Sequence, residues 1–469
     1  MMTTAPAALP ELTPELLNAY DRPGPRYTSY PTADRFGDGF SEADYVAALA
    51  RANAQRPGEA LSVYTHLPFC EALCTYCGCN VTVSRSAQTR ARYLARLAEE
   101  IARVVRHLPD RRLVSQLHLG GGTPNAYADD ELAALFDLFR EHFELAPDAE
   151  VAIEADPRHA TPERLARWRE IGINRLSMGV QDFDPAVQER VGRVCPPERV
   201  EELVAAARAA RYDSVNLDLI YGLPRQTAAS FARTVARVIG LRPDRVALYS
   251  FAWVPWAKPH QAAFEASEMP DRDAKLALFC DARKAFLDAG YEAIGMDHFA
   301  LPSDELAVAQ REGRLRRNFQ GYTAMRVRDV VAFGVSAIGD IGGAYIQNTR
   351  SLHAYNKAID GGGLATARGL RLSDDDEVRR YAIHELMCRF RLDDAALRRR
   401  FGAGVADLFG PELATLAASE DLAPLAEATA ADGVRVSPLG QLFVRNVAAV
   451  FDRYLQTKAP EGPLYSRMV

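Results

Sequence analysis

The feature that most constrains the fold is a run of six short β-rich segments that alternate with amphipathic helical stretches. The candidate strands are residues 61–67, 114–119, 150–155, 175–180, 215–220 and 245–251. Helical periodicity marks the stretches between them, such as RARYLARLAEEIARVVRHL and DELAALFDLFREHF. Consecutive strand–helix units with right-handed crossovers build a parallel sheet. We therefore predict an α/β fold, either an open doubly wound sheet or a full or partial barrel.

The segments that follow these strands favour a barrel. They read HLPFC, GGGTP, EADP, GVQDF, DLIYGLP and YSF, and are polar or glycine-rich where each strand ends. Barrel enzymes collect their chemistry at the carboxyl ends of several strands. The distribution predicts a partial, TIM-like (β/α) barrel. One helix start is well marked, because Thr161 can cap a helix that has Pro162 in its first turn.

The pattern divides the chain into three predicted parts. Residues 1–55 form a polar, proline-rich lead-in, in which DRPGPRYTSYPTADRF suits an extended or turning segment and a lid. Residues 56–365 form the barrel domain. Residues 366–469 form a mostly helical C-terminal domain, in which ADGVRVSPLGQLFVRN predicts a strand pair leading into a helix.

Composition limits the function classes. The 469-residue chain is 48% hydrophobic and carries 56 Lys and Arg against 62 Asp and Glu, a net charge of −6. That balance argues against a general nucleic-acid binder. No stretch approaches the roughly 20 uninterrupted apolar residues of a membrane span. No secretory signal is visible at the N-terminus, so we expect a cytoplasmic protein.

Four of the seven cysteines lie between positions 70 and 79, spaced C-x3-C-x2-C-x-C. An odd, tightly packed set in a long chain without a signal does not predict a disulfide framework. Structural zinc usually takes two separated pairs of ligands, and no second pair is present here. Three thiolates on one loop can hold three irons of a cubane cluster and leave the fourth iron open. The remaining cysteines, Cys195, Cys280 and Cys388, are expected to be structural.

This spacing, directly after a strand, resembles the radical S-adenosylmethionine (SAM) superfamily. The segments RPGPRYTSYPTA, LSVYTHLPFCEALCTYCGCN, HLGGGTP, RLSMGVQDF, NLDLIYGLP, GMDHFA and RRNFQGYT are similar to the oxygen-independent coproporphyrinogen III oxidase (dehydrogenase) family of haem biosynthesis. The resemblance runs from the lead-in into the C-terminal helices. The cysteine motif alone identifies only the superfamily, whereas the lead-in, the fourth cysteine and NFQGYT narrow it to this family.

The resemblance implies a reaction and its cofactors. It implies a [4Fe–4S] cluster held by Cys70, Cys74 and Cys77, with one SAM on the open iron, which is cleaved to methionine and a 5′-deoxyadenosyl radical. The radical would take hydrogen from two propionates of coproporphyrinogen III. Each would then lose carbon dioxide to become a vinyl group, giving protoporphyrinogen IX. A second SAM, a flavodoxin- or ferredoxin-like electron donor, an unnamed electron acceptor and a monomeric state are also implied.

The resemblance also assigns roles to residues, and several have a physical reason. Glycine lets a backbone approach a ligand closely, and carboxylates at strand ends could face the barrel mouth. The expected SAM-binding residues are Tyr64, Tyr76, Gly121, Gly122, Thr123, Glu154, Gln181, Arg193, Asp218, Ala252 and Ile338. The expected catalytic residues are Tyr64, His66, Cys79, Glu154 and Gln320. Arg22 and Arg26 are weaker candidates for holding substrate carboxylates from a lid, and His298 is a weaker site candidate.

Three alternatives remain open at this point. A haem-binding radical SAM chaperone would share the cluster motif, but such proteins lack the fourth cysteine and the RYTSYPTA lead-in. A radical SAM enzyme could act on another tetrapyrrole. A zinc protein with a winged-helix tail would contain zinc instead of iron.

Overall fold

A mixed sheet of twelve strands forms the centre of the molecule, and the computed structural model describes residues 20–325 and 327–456. Its strands are β1 (Leu61–Leu67), β2 (Leu113–Gly121), β3 (Glu144–Ala155), β4 (Arg175–Gln181), β5 (Ser214–Tyr221), β6 (Arg245–Ser250), β7 (Glu292–Ile294), β8 (His298–Ala300), β9 (Val330–Phe333), β10 (Ile338–Ile341), β11 (Ala344–Asn348) and β12 (Thr366–Arg371). Their order in space is β12-β11-β10-β9-β1-β2-β3-β4-β5-β6-β8-β7.

The six predicted strands are all present as β1 to β6, and they pair in parallel in chain order. β9 adds a further parallel strand beside β1. Antiparallel strands extend both edges, with β10 to β12 beyond β9, and β8 and β7 beyond β6. Because the sheet ends at β12 and β7, the barrel is partial, as predicted.

Helices cover the outside of the sheet. They are α1 (Glu42–Gln55), α2 (Ala87–Val105), α3 (Asp129–His142), α4 (Pro162–Ile171), α5 (Pro185–Val191), α6 (Pro197–Ala209), α7 (Ala228–Leu241), α8 (Arg272–Asp288), α9 (Glu305–Arg311), α10 (Leu352–Asp360), α11 (Asp374–Arg389), α12 (Asp394–Phe401), α13 (Val405–Ala418), α14 (Pro438–Leu442), α15 (Val444–Val450) and α16 (Arg453–Gln456). The predicted cap is confirmed, because the Thr161 hydroxyl accepts a hydrogen bond from the Arg164 N–H at 3.3 Å. None of the described helices is both long and apolar enough to cross a membrane.

The last part of the lead-in, which follows the segment expected to be extended or turning, is helical. Residues 42–55 form α1, which begins at a capping box between Ser41 and Asp44. Before it, Tyr20, Tyr27 and Tyr30 are buried. The Tyr27 hydroxyl donates to Asp452 at 3.0 Å, so this segment is tied to the C-terminal helices. Residues 1–19 of the expected lead-in, and 457–469 of the expected C-terminal domain, lie outside the described residues.

The C-terminal part is mostly helical and contains one small antiparallel sheet. Of the strand pair predicted within residues 431–446, only Gly433–Val436 is a strand. Its partners, Ala426–Thr429 and Arg391–Asp393, lie before that segment, and α14 follows it as predicted. The expected boundary at residue 365 falls immediately before β12, which pairs with β11 in the main sheet. The main sheet therefore continues to Arg371, and the C-terminal helices begin with α11.

Candidate active site

The cysteine loop, residues 70–79, leaves the carboxyl end of β1. A two-residue parallel pairing between Phe69–Cys70 and Thr82–Val83 closes the loop at its base. Within the loop the Cys77 N–H donates to the Cys74 carbonyl at 3.1 Å, which forms a tight turn. The sheet therefore presents the thiols at the mouth of the barrel, where barrel enzymes carry their chemistry.

Each thiol lies in a different environment. The Thr123 hydroxyl donates to the Cys70 sulfur at 3.1 Å, while burial raises the pKa of Cys70 to about 11. Arg158 and Arg193 each place a guanidinium nitrogen 3.7 Å from the Cys74 sulfur. The hydrogen bond from the Cys79 thiol lowers the pKa of Cys77 to about 6. Two cations and two hydroxyl or thiol donors thus surround the sulfurs of this loop.

The donor set fits the cluster that the spacing implies. Cys70, Cys74 and Cys77 offer three thiols from one short loop, and thiolates are the ligands of iron–sulfur clusters. In a cubane each thiolate binds a different iron, so the sulfurs need not converge on one point. Within the described part of the chain, no three His, Cys, Asp or Glu side chains converge on a single-ion site. Of the four cysteines in the loop, Cys79 is the exposed one.

A second loop, residues 258–261, clamps the cysteine loop through its backbone. Lys258 donates to the Cys79 carbonyl at 3.0 Å, and Gln261 donates to the Tyr76 carbonyl at 3.0 Å. The His260 Nε2 lies 2.8 Å from the Cys77 carbonyl. These contacts join positions about 180 residues apart, and the sequence reasoning missed them. They fix the backbone of the loop that carries the thiols.

Replacement of His260 by alanine is expected to impair cluster assembly more than it impairs folding. The variant loses one of three side chains that hold the loop, and changes of this supporting kind cost about 10–100-fold in metal affinity. Iron and sulfide content after anaerobic reconstitution measures the effect. His353→Ala, an exposed change on α10, is the matched control. Equal iron content in both variants would contradict a role for the clamp.

The glycine-rich turn after β2 packs directly on the β1 end. Gly121 has a φ of +114°, and a Cβ there would lie 2.6 Å from the His66 ring. A Cβ on Gly122 would lie 2.6 Å from the Pro68 carbonyl. The Thr123 N–H donates to the Phe69 carbonyl at 3.0 Å. Both glycines are therefore required for packing, a reason that stands beside the expected contact with SAM.

Glu154, at the end of β3, faces the interior of the barrel. One carboxylate oxygen lies 3.0 Å from His118 Nε2, and the other accepts the Gly121 N–H at 3.0 Å. Burial opposes its charge, but these hydrogen bonds and the His118 charge outweigh burial and lower the pKa. Its side chain is still 42% exposed, toward a cavity of about 120 Å³ inside the barrel. An ionised carboxylate is therefore available to a ligand.

The other predicted polar residues surround the same space. Asp218, His298 and Gln320 line this cavity with Glu154. Gln181, at a φ of +70°, has a buried Oε1 that no described protein group satisfies. Unsatisfied buried acceptors are rare in proteins. An acceptor of this kind suits a ligand with amine or hydroxyl donors, such as SAM.

Tyr64 and His66 share the inner face of β1, as predicted. The Tyr64 hydroxyl lies 3.1 Å from His66 Nδ1, and His66 Nε2 lies 2.9 Å from the Asn80 carbonyl. Burial lowers the pKa of His66 and keeps the ring neutral. A carbonyl oxygen can only accept a hydrogen bond, so the proton of the neutral ring lies on Nε2. Nδ1 therefore accepts a hydrogen bond from the Tyr64 hydroxyl. His66 thereby couples Tyr64 to the segment that follows the cysteine loop.

Asp218 has a pKa that lies well above the ordinary value of an aspartate. Burial, and then the charge of Glu154, raise its pKa to about 6 from 3.8. An acid whose pKa is higher in the folded state destabilises the fold once it ionises. The free energy of unfolding therefore begins to fall as pH rises from about 4, and this loss is complete above about pH 6.

Asp218→Asn is therefore expected to stabilise the apoprotein at pH 8, by roughly 2 kcal/mol. The gain should be about 1 kcal/mol smaller at pH 5, where Asp218 is largely protonated in the folded protein. Urea unfolding of both proteins at the two pH values measures this difference. A gain that does not change with pH would contradict the assignment of the effect to ionisation.

The remaining candidates lie in three different settings. Arg193 is buried and pairs with Asp156 at 2.8 Å, beside Cys74. The Tyr76 backbone is held by the clamp, and Ala252 follows β6. Ile338, on β10, lines a second and larger cavity, which Gln320 also lines. The sequence reasoning missed Asp156 and Arg158, although EADP was among the noted strand-end segments.

The two lead-in arginines lie apart from the cavity that contains Glu154. Arg22 forms an exposed pair with Asp421 at 2.7 Å. Arg26 donates to the Ser250 carbonyl at 2.8 Å, above β6. Among the other cysteines, Cys195 and Cys388 are buried and Cys280 is partly buried.

Comparison with known proteins identifies the family. The Radical SAM superfamily model matches residues 64–238. An oxygen-independent coproporphyrinogen III oxidase from Pseudomonas aeruginosa is 44% identical over 446 residues, covering 94% of this chain and 95% of its own. The Synechocystis enzyme of that name is 40% identical, with full coverage of both chains. The solved structure of Escherichia coli coproporphyrinogen III oxidase, described as a radical SAM enzyme, aligns with a TM-score of 0.87 at 42% identity over 92% of this chain and 97% of its own. This chain belongs to the oxygen-independent coproporphyrinogen III oxidase family of the radical SAM superfamily.

Proposed function

We propose that this chain converts coproporphyrinogen III to protoporphyrinogen IX without oxygen, by oxidative decarboxylation of two propionates to vinyl groups in haem biosynthesis. The full-length similarity to enzymes of that name supports the reaction. The observation that carries the assignment to this chain is its cysteine loop, held by β1 and the clamp beside a polar barrel interior.

Cys70, Cys74 and Cys77 are the proposed cluster ligands. When bound, the cluster and SAM supply a radical able to abstract hydrogen from an unactivated propionate carbon, which no side-chain base can do. Arg158 and Arg193 contact the Cys74 sulfur, and Asp156 orients both guanidinium groups. Cys79 is not a proposed ligand. Its exposed thiol hydrogen-bonds to Cys77, so it adjoins the cluster site and can take part in activity.

Two SAM sites are proposed in the barrel. Glu154, Gln181 and Asp218 offer charge and an unsatisfied acceptor beside the cysteine loop. Ile338 belongs to the adjoining cavity, and Gln320 lines both spaces. A residue shared by two adjoining cavities suits two neighbouring molecules.

The proposed electron donor is a flavodoxin- or ferredoxin-like protein, and the chain is proposed to act as a cytoplasmic monomer. The large apolar side chains exposed in the described ranges are Leu73, Val83, Val194 and Trp256. Leu73 lies in the cysteine loop, and the other three lie in segments that contact it. Val83 pairs with Cys70, Val194 follows Arg193, which contacts Cys74, and Trp256 lies just before the clamp. Exposed apolar side chains gathered at one place mark interaction surfaces.

An anaerobic turnover assay on iron–sulfur-reconstituted protein tests the function. It contains SAM, a reductant, cell extract as a source of the acceptor, and coproporphyrinogen III. Formation of protoporphyrinogen IX with about two methionines per product supports the proposal. SAM cleavage without decarboxylation would contradict the substrate, and stable haem binding without cleavage would favour a chaperone. Reduced flavodoxin in place of a chemical reductant tests the donor.

A further inference from the structure

The larger cavity adjoins the barrel interior and has an unusual lining. It measures about 310 Å³, within the range of small-molecule sites. It lies between the hairpin of Arg316–Asn318 and Gly321–Thr323 on one side and α11 on the other. Gln320 and Thr323 line both this cavity and the one containing Glu154, so a ligand at its arginines would adjoin the SAM site at Glu154 and share this cavity with the second SAM proposed at Gln320 and Ile338.

Three arginines in this lining lack a carboxylate partner. Arg56, Arg317 and Arg380 also line the cavity, and they pair with Asp329, Asp297 and Asp340. By contrast, across residues 20–325 and 327–456 no ion pair engages the three others. They are Arg316 on the hairpin, Arg328 before β9 and Arg400 on α12.

Arg400 lies close enough to Arg316 and to Arg328 for their charges to repel. Burial, and the charges of Arg389 and Arg400, lower the pKa of Arg316. Burial and the charge of Arg328 lower that of Arg400, whose guanidinium lies 4.9 Å from the centre of the Tyr381 ring. The nearby carboxylates of Glu377 and Glu385 act in the opposite direction on these pKa values, but each is paired with another arginine, Arg380 and Arg389 respectively. The cluster therefore carries positive charge that an anionic ligand would neutralise.

We propose, resting on the proposed function, that Arg316, Arg328 and Arg400 bind the propionate carboxylates that the reaction leaves intact. Propionates are ionised at neutral pH, and a guanidinium can hold a carboxylate through two hydrogen bonds. The retained carboxylates are the same in substrate and product, so they can anchor the tetrapyrrole through both steps. Phe319 and Tyr345 line the same cavity and offer apolar surface to its pyrrole rings.

The test uses coproporphyrin III, the stable oxidised tetracarboxylate, and its tetramethyl ester. Fluorescence titration gives the Kd of each for wild type, Arg316→Gln, Arg400→Gln and the control Arg399→Gln. Arg399 neighbours Arg400 on α12 but does not line the cavity. A lost charged hydrogen bond weakens binding by roughly 10–100-fold. We expect that loss for the acid in the two cavity variants, no change in the control, and weak ester binding to wild type.

Two outcomes would overturn the inference: equal binding of ester and acid by wild type, or an unchanged Kd in both cavity variants. The ester comparison needs no substitution, so it remains valid if a variant misfolds. Turnover separates this inference from the proposed function. Normal turnover with an unchanged KM in the variants would refute the arginine site alone. Arginine-dependent coproporphyrin binding without turnover of coproporphyrinogen III would uphold the site and refute the function.

Discussion

Cys74→Ala is expected to yield a folded protein that retains no stable cluster and cleaves SAM at least about a hundredfold more slowly than wild type. Cys74 is one of three proposed ligands, and its sulfur lies 3.7 Å from both Arg158 and Arg193. The substitution removes the thiolate while Asp156 still pairs with both arginines, so the surrounding structure should persist. Iron and sulfide content, visible absorption and methionine formation after anaerobic reconstitution measure the result.

Two other cysteines sharpen this experiment. Cys195→Ala removes a thiol that is also buried but lies outside the loop, and it should leave iron content and SAM cleavage unchanged. Cys79→Ala should keep the cluster, because Cys79 is not a proposed ligand, and should lose product formation. A cluster of normal iron content in Cys74→Ala, or its loss in Cys195→Ala, would show that the ligands are assigned wrongly.

The repeating strand–helix pattern was sufficient to predict the centre of the fold. β1 to β6 follow each other in space because each crossover returns the chain to the neighbouring position, and the apolar runs fix which segments are buried. The edges were not predictable in the same way. β10 to β12 are short and antiparallel, and their pairing depends on β9 lying beside β1, far away in the chain. α1 was not predicted, because its Ser41 cap directly follows a segment rich in proline and glycine, which favours turns.

The candidate site was predictable to the extent that motifs mark strand ends. Glu154, Asp218 and Gln320 do meet in one cavity, and Tyr64 does contact His66. The clamp from Lys258 to Gln261 was not predictable, because it acts on backbone carbonyls of the cysteine loop and leaves no spacing pattern. The arginine cluster was not predictable either. Whether an arginine has a carboxylate partner depends on the positions of all the carboxylates in space.

Glu154→Gln is expected to weaken SAM binding by roughly 10–100-fold in cluster-loaded protein. Hydrogen bonds involving His118 and the Gly121 N–H keep Glu154 ionised, so wild type presents a charge that glutamine lacks. The glutamine oxygen can still accept from Gly121, and the turn should keep its shape. Equilibrium dialysis with labelled SAM gives both affinity and the number of molecules bound. Glu144→Gln, at the exposed start of the same strand, is the matched control.

Counting the SAM molecules bound tests this prediction more directly than an activity assay does. If Glu154 serves one of two sites, one class of SAM should weaken while the other keeps its wild-type affinity. Loss of the Glu154 charge should also lower the pKa of Asp218, because that charge is one of the causes that raise it. The pH dependence of stability due to Asp218 should then shift to lower pH. Unchanged SAM affinity together with that shift would show that Glu154 sets the electrostatics of the barrel without binding SAM.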